Sequence, residues 1–137
     1  MHVKQAVHEG IVRGLIIVGL AGVALIHLMD APGQFSQASY IGWMYVGLIT
    51  SCVVLAAAHL RGSDPRLWTL TILLALSVMT GYVVSRTVGL PGLGDDIGNW
   101  SEPLGIASLF VEGSLIAVSS HALHAFAPNM SSSPIPA

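Results

Sequence analysis

Four apolar runs, each about as long as a bilayer's hydrocarbon core is thick, constrain this chain more than any other feature. Hydrocarbon offers no water to backbone amides and carbonyls, so a spanning segment must satisfy them internally, as a helix of about 20 mostly apolar residues. The first run, "IVRGLIIVGLAGVALIHLM", covers Ile11 to Met29, and the second, "ASYIGWMYVGLITSCVVLAAAHL", covers Ala38 to Leu60. A third extends from about Leu67 to Arg86. The fourth begins at Pro103, a residue suited to a first helical turn, just after Ser101 and Glu102, and reaches about Phe126. Composition agrees: 53% of residues are hydrophobic and only 9% charged, against roughly 25% charged in a soluble domain.

Short gaps between the runs predict an all-α, polytopic, up-and-down bundle of four transmembrane helices in one domain, residues 1–126, with both termini on the same side. Lys4 and Arg13 accompany the first helix, and Arg61 and Arg66 flank the loop "RGSDPR". The loops "DAPGQFSQ" and "TVGLPGLGDDIGNWSE" carry neither Lys nor Arg, so the positive-inside rule places the termini and the middle loop in the cytoplasm. Tyr40, Trp43 and Trp100 then fall at the outer interface and Trp68 at the inner one. The first run is too long for a signal peptide and lacks a small-x-small cleavage site, so it is expected to be retained. Pro32 and Gly33 predict a turn, and the Ser- and Pro-rich tail, residues 127–137, predicts disorder.

Charges are so scarce here, five basic and seven acidic, that those beside or inside apolar sequence need a reason. Arg86 closes the third run and faces a loop with Asp95, Asp96 and Glu102. An ion pair is the economical expectation, with Glu102 as first choice because it directly precedes the fourth helix. Glu112 lies nine residues after Pro103, roughly 14 Å along a helix and so near mid-membrane. An acid at that depth faces the bundle interior, either neutral and hydrogen-bonded or serving as a proton or ligand site. Gly105, Ser108 and Ser119 share its face. His27 and Asp30, three residues apart, complete an expected outer cluster of His27, Asp30, Arg86, Glu102 and Glu112 that binds a ligand or partner. His27 with Asp30 is also a two-ligand metal candidate.

At the inner end, His59 closes the second run while His121 and His124 share one face of the fourth. Histidines on facing helices are what bis-imidazole haem ligation requires, so haem or a metal at His59, His121 and His124 is a second expectation. No Gly-x-Ser-x-Gly elbow, phosphate loop, Cys-x-x-Cys or His-Glu-x-x-His occurs, and no catalytic residue is assigned. A net charge of -2 without a basic cluster argues against nucleic acid as a partner. The single cysteine, Cys52, sits in apolar sequence and reads as a small core residue.

The pieces "HLMDAPGQF", "YIGWMYVGLI", "SRTVGLPG" and "EPLGIASLFVE" together resemble an uncharacterised group of small four-helix membrane proteins of actinobacterial type. The resemblance spans roughly His27 to Glu112. It implies one four-helix domain in a bacterial inner membrane and groups His27, Asp30, Pro32, Arg86, Pro91, Glu102, Pro103 and Glu112. It implies no reaction, substrate or cofactor. The reading that follows is a non-enzymatic membrane protein whose outer polar cluster binds a small ligand, a membrane protein partner or a second copy of the chain. A haem or metal protein is one alternative, and a proton-coupled transporter component using Glu112 is another.

Overall fold

The structure is a computed structural model that describes residues 2–131. Four helices are present: α1 (His2–Gln37), α2 (Ser39–Arg61), α3 (Pro65–Thr87) and α4 (Pro103–Ser131). All four are long and apolar enough to cross a membrane. The chain is thus an all-α, multi-pass, four-helix bundle. Helix α4 continues five residues into the segment expected to be disordered, and the rest of that tail, residues 132–137, lies outside the described residues.

The largest departure from expectation is at Pro32, which lies inside α1 rather than in a turn. Proline has no N–H to give the Leu28 carbonyl, a defect worth about 3 kcal/mol in a helix interior. Here Leu28 and Pro32 are both exposed, so the unpaired carbonyl is not sealed in the core. Side chains also carry the helix across the break: Gln34 donates to Asp30 (3.1 Å), and Ser36 donates to the Gly33 carbonyl (2.7 Å). The loop "DAPGQFSQ" is therefore helical, and α1 and α2 meet at a single residue, Ala38, in extended conformation. With 36 residues, α1 is about 54 Å long.

Helices α1 and α4 form the central pair. The buried face of α1 is Val12, Ile16, Leu20, Val23, His27 and Ala31, at spacings of three or four residues. The buried stripe of α4 keeps the same alternation through Gly105, Ser108, Glu112, Leu115, Ser119, Ala122 and Phe126. Between lipid-solvated helices close packing supplies the attraction, and it needs small residues at the crossing. Gly19 is one: a β-carbon there would sit 2.6 Å from Leu115 Cδ2.

Helix α2 packs on α1, and α3 packs on α4, but α2 and α3 scarcely touch each other. They are connected by the three-residue loop 62–64, where Asp64 caps α3 by accepting from the Arg66 N–H (2.8 Å). Near this loop the bundle is closed. Trp68, expected at the interface, is instead 1% exposed, packed against Phe126 in the core. At the opposite end, where Arg86 lies, α2 and α3 diverge.

Candidate functional site

The site grows out of the segment linking α3 to α4. Helix α3 stops where Gly89, with φ of 85°, adopts the left-handed conformation and returns its N–H to the Val84 carbonyl (2.9 Å). Leu90, Pro91, Gly92 and Leu93 then form a tight turn. Pro91 occupies its second position, Gly92 its third with φ of 79°, and the Leu93 N–H bonds the Leu90 carbonyl (2.9 Å). A 3-10 turn, Gly94–Asp96, follows, and the Gly98 N–H bonds the Arg86 carbonyl (2.8 Å). The chain thereby folds back over the end of α3 and delivers Asp96 to Arg86.

Arg86 is 8% exposed, and its Nη1 lies 3.0 Å from Asp96 Oδ1. Its guanidinium also covers the Tyr82 ring, 4.8 Å from the centroid, an arrangement that favours a cation. Glu102, the first choice from sequence, is the more distant partner at 3.8 Å. The reason is local. Glu102 Oε1 accepts from the Leu104 N–H (3.0 Å) and Oε2 from the Gly105 N–H (2.7 Å), so the carboxylate serves the start of α4 first. Gly105 makes room for this: a β-carbon there would strike the Tyr82 ring and sit 2.9 Å from Glu102 Oε2. Asp95 is exposed and outside the ion pair.

Across from Arg86, α1 and α2 supply a second polar group. Asp30 Oδ2 accepts from the Tyr45 hydroxyl (3.0 Å) and from Gln34 Nε2 (3.1 Å). His27, 6% exposed, donates from Nδ1 to the Val23 carbonyl (2.9 Å) and meets the Tyr45 ring edge to face at 4.8 Å. Each ring nitrogen has one hydrogen-bonding role in a neutral imidazole, so Nε2 is left as an acceptor. The Tyr40 hydroxyl closes the rim by donating to the Pro91 carbonyl (2.6 Å).

These groups surround a cavity of about 530 Å³. Its polar end holds His27, Asp30, Tyr45, Arg86, Asp96 and Glu102, while Ile41, Met44, Leu48, Leu74 and Val78 line the remainder. Ser51, Leu74 and Ser77 belong both to the cavity and to an open groove between α2 and α3 that continues past Thr50, Val54, Leu70 and Leu73. The cavity therefore lies directly beside the groove on the bundle's apolar flank, between the two helices that scarcely pack on each other. Its size falls within the range of small-molecule sites.

Of the five residues grouped from sequence, His27, Asp30, Arg86 and Glu102 line this cavity, and Glu112 does not. Glu112 is fully buried one turn below Ser108, whose hydroxyl donates to its Oε1, while Oε2 has no partner among the described residues. The histidines of the other end have different surroundings. His59 is fully buried and donates from Nε2 to Thr71 Oγ1 (3.1 Å), whose own hydroxyl proton goes to the Leu67 carbonyl (2.9 Å). His121 and His124 are exposed, and His121 stacks against His8 at 5.4 Å. His27 and Asp30 both meet Tyr45, His27 through its ring and Asp30 through the tyrosine hydroxyl. Among the described residues, no three of His, Cys, Asp and Glu gather as metal ligands would.

Sequence reasoning missed Tyr45 and Gln34. The four-residue spacing from Asp30 to Gln34 would have exposed the second, had the helix been extended through Pro32. Tyr45 comes from another helix, and no local signal marks it. No family model, no characterised protein and no solved structure matches the chain.

Proposed function

We propose that this protein binds a small amphiphilic molecule within the membrane, with its head in the polar end of the cavity and its apolar part between α2 and α3. One observation carries the reading: a charged, hydrogen-bonding chamber adjoins a mostly apolar open groove on the bundle's flank, and the two share Ser51, Leu74 and Ser77. A purely water-soluble ligand gains nothing from the groove, and a purely apolar one would leave the chamber's polar groups unserved. Together they match one molecule with two ends.

The basic residues near α1 and the α2–α3 loop support an orientation in which the chamber opens on the outer side of a cell membrane. On this reading the protein is a binding component rather than an enzyme, and Arg86 with Asp96 shapes the chamber's rim. The experiment is photolabelling with a diazirine-bearing alkyl alcohol in mild detergent, with the labelled residues identified by peptide mass spectrometry. Label should concentrate at Ser51, Leu74, Ser77 and Val78. Gly81 lines the cavity, and a β-carbon there meets open space, so Gly81→Phe should fill the chamber and remove that label. Label spread evenly over exposed apolar residues, and unchanged in Gly81→Phe, would overturn the proposal.

A further inference from the structure

We infer that the head group this chamber takes is a protonated amine with N–H bonds to donate, an inference that rests on the amphiphile reading above. Three carboxylates line the chamber, on Asp30, Asp96 and Glu102, against one guanidinium, Arg86. Arg86 is committed to Asp96 at 3.0 Å and Glu102 at 3.8 Å. Asp30 forms no ion pair among the described residues. Both of its hydrogen bonds come from neutral groups, and both reach Oδ2, leaving Oδ1 free to accept.

The second observation is independent of charge. His27 is more than nine-tenths buried and lines the same chamber; Nδ1 donates to the Val23 carbonyl, which makes Nε2 an acceptor, and Nε2 has no hydrogen-bond partner among the described residues. His27 and Asp30 are three residues apart on α1, so they lie on one face of the helix. The unserved groups on this wall are therefore acceptors, one of them anionic. A primary ammonium offers three donors and one positive charge, which satisfies both.

An anionic head fits poorly. Arg86 Nε does lack a partner, but an anion brought there would stand against Asp96 and Glu102. A quaternary ammonium would answer the charge of Asp30 but could not donate to Oδ1 or to His27 Nε2.

The test is competition against the diazirine alcohol by four probes of one chain length: dodecylammonium, dodecyltrimethylammonium, dodecanol and dodecyl sulfate, each below its micelle-forming concentration. Dodecylammonium should displace the label at a concentration roughly tenfold below that of the next best probe, the scale of one charge-assisted hydrogen bond. Dodecyl sulfate should be the weakest. Asp30→Asn should erase the ammonium preference while dodecanol still competes. The ranking on the unaltered protein decides the matter even where Asp30→Asn does not fold. Equal displacement by all four probes refutes the amine head and leaves amphiphile binding standing. Label that never enters the cavity removes both.

Discussion

The two ends of this bundle are built from the same four helices and yet solve opposite problems. At the His59 end, Trp68, Phe126, Ile16 and Val12 pack to 6% exposure or less, and His59 spans from α2 to Thr71 on α3. At the Arg86 end, α2 and α3 part, and polar groups line a cavity of about 530 Å³. The contrast shows where stability and binding are kept. Side chains that fill space close one end, while charges fixed by a folded loop hold the other open.

The sharpest way to break that contrast is to empty the packed end. Trp68→Ala removes a large side chain that is 1% exposed, and should cost about 3 to 5 kcal/mol in detergent-state unfolding. A loss below about 1 kcal/mol would mean that the closed end is not the source of stability. Next in size is Arg86→Ala, which strands two carboxylates. Asp96 keeps 26% exposure and Glu102 32%, so the cost should fall short of the 3 to 5 kcal/mol of a fully buried pair, at roughly 2 to 3 kcal/mol.

A double-mutant cycle distinguishes the two acids. Coupling of Arg86 to Asp96 should be about 1 to 2 kcal/mol and should exceed that of Arg86 to Glu102, given distances of 3.0 and 3.8 Å. Glu102→Ala should still destabilise by about 1 kcal/mol through loss of the α4 cap, whether or not Arg86 is present. Finding the larger coupling at Glu102 would reverse this assignment. The smallest effect belongs to the open end: Gly81→Phe should change stability by less than about 0.5 kcal/mol, since it fills space that is already vacant.

Hydropathy made the four helices legible, because a bilayer tolerates almost no other backbone arrangement. It did not locate their ends. Pro32 reads as a stop until the side-chain bonds of Gln34 and Ser36 and the exposure of Leu28 and Pro32 show how the helix passes it. The lone cation Arg86 beside three acids announced an ion pair, but the choice of acid depended on competition that spacing hides. Glu102 immediately before Pro103 was a capping signal, and reading it so would have released Asp96 for Arg86. The parting of α2 from α3 left no trace in sequence, since a short loop ordinarily makes neighbours of the helices it joins. Tyr45, brought to Asp30 from another helix, was equally hidden.

The junction at Ala38 has a mechanical consequence. With one residue between them, α1 and α2 form one stiff arm, braced where Phe35 fills the space over Gly42. Helices α3 and α4 form the other arm, and α2 and α3 are tied together only beside His59 and Thr71. Because α1 is packed along α4, the two pairs are fixed to each other there, and the part of the frame left without a packed neighbour across the gap is the outer half of α2 facing α3. A 23-residue helix is about 35 Å long, so a tilt of α2 by about 3° at its His59 end would shift the far tip by about 2 Å, roughly half the breadth of a methylene chain. Across that gap the Tyr40 hydroxyl on α2 is clasped to the Pro91 carbonyl of the segment that follows α3.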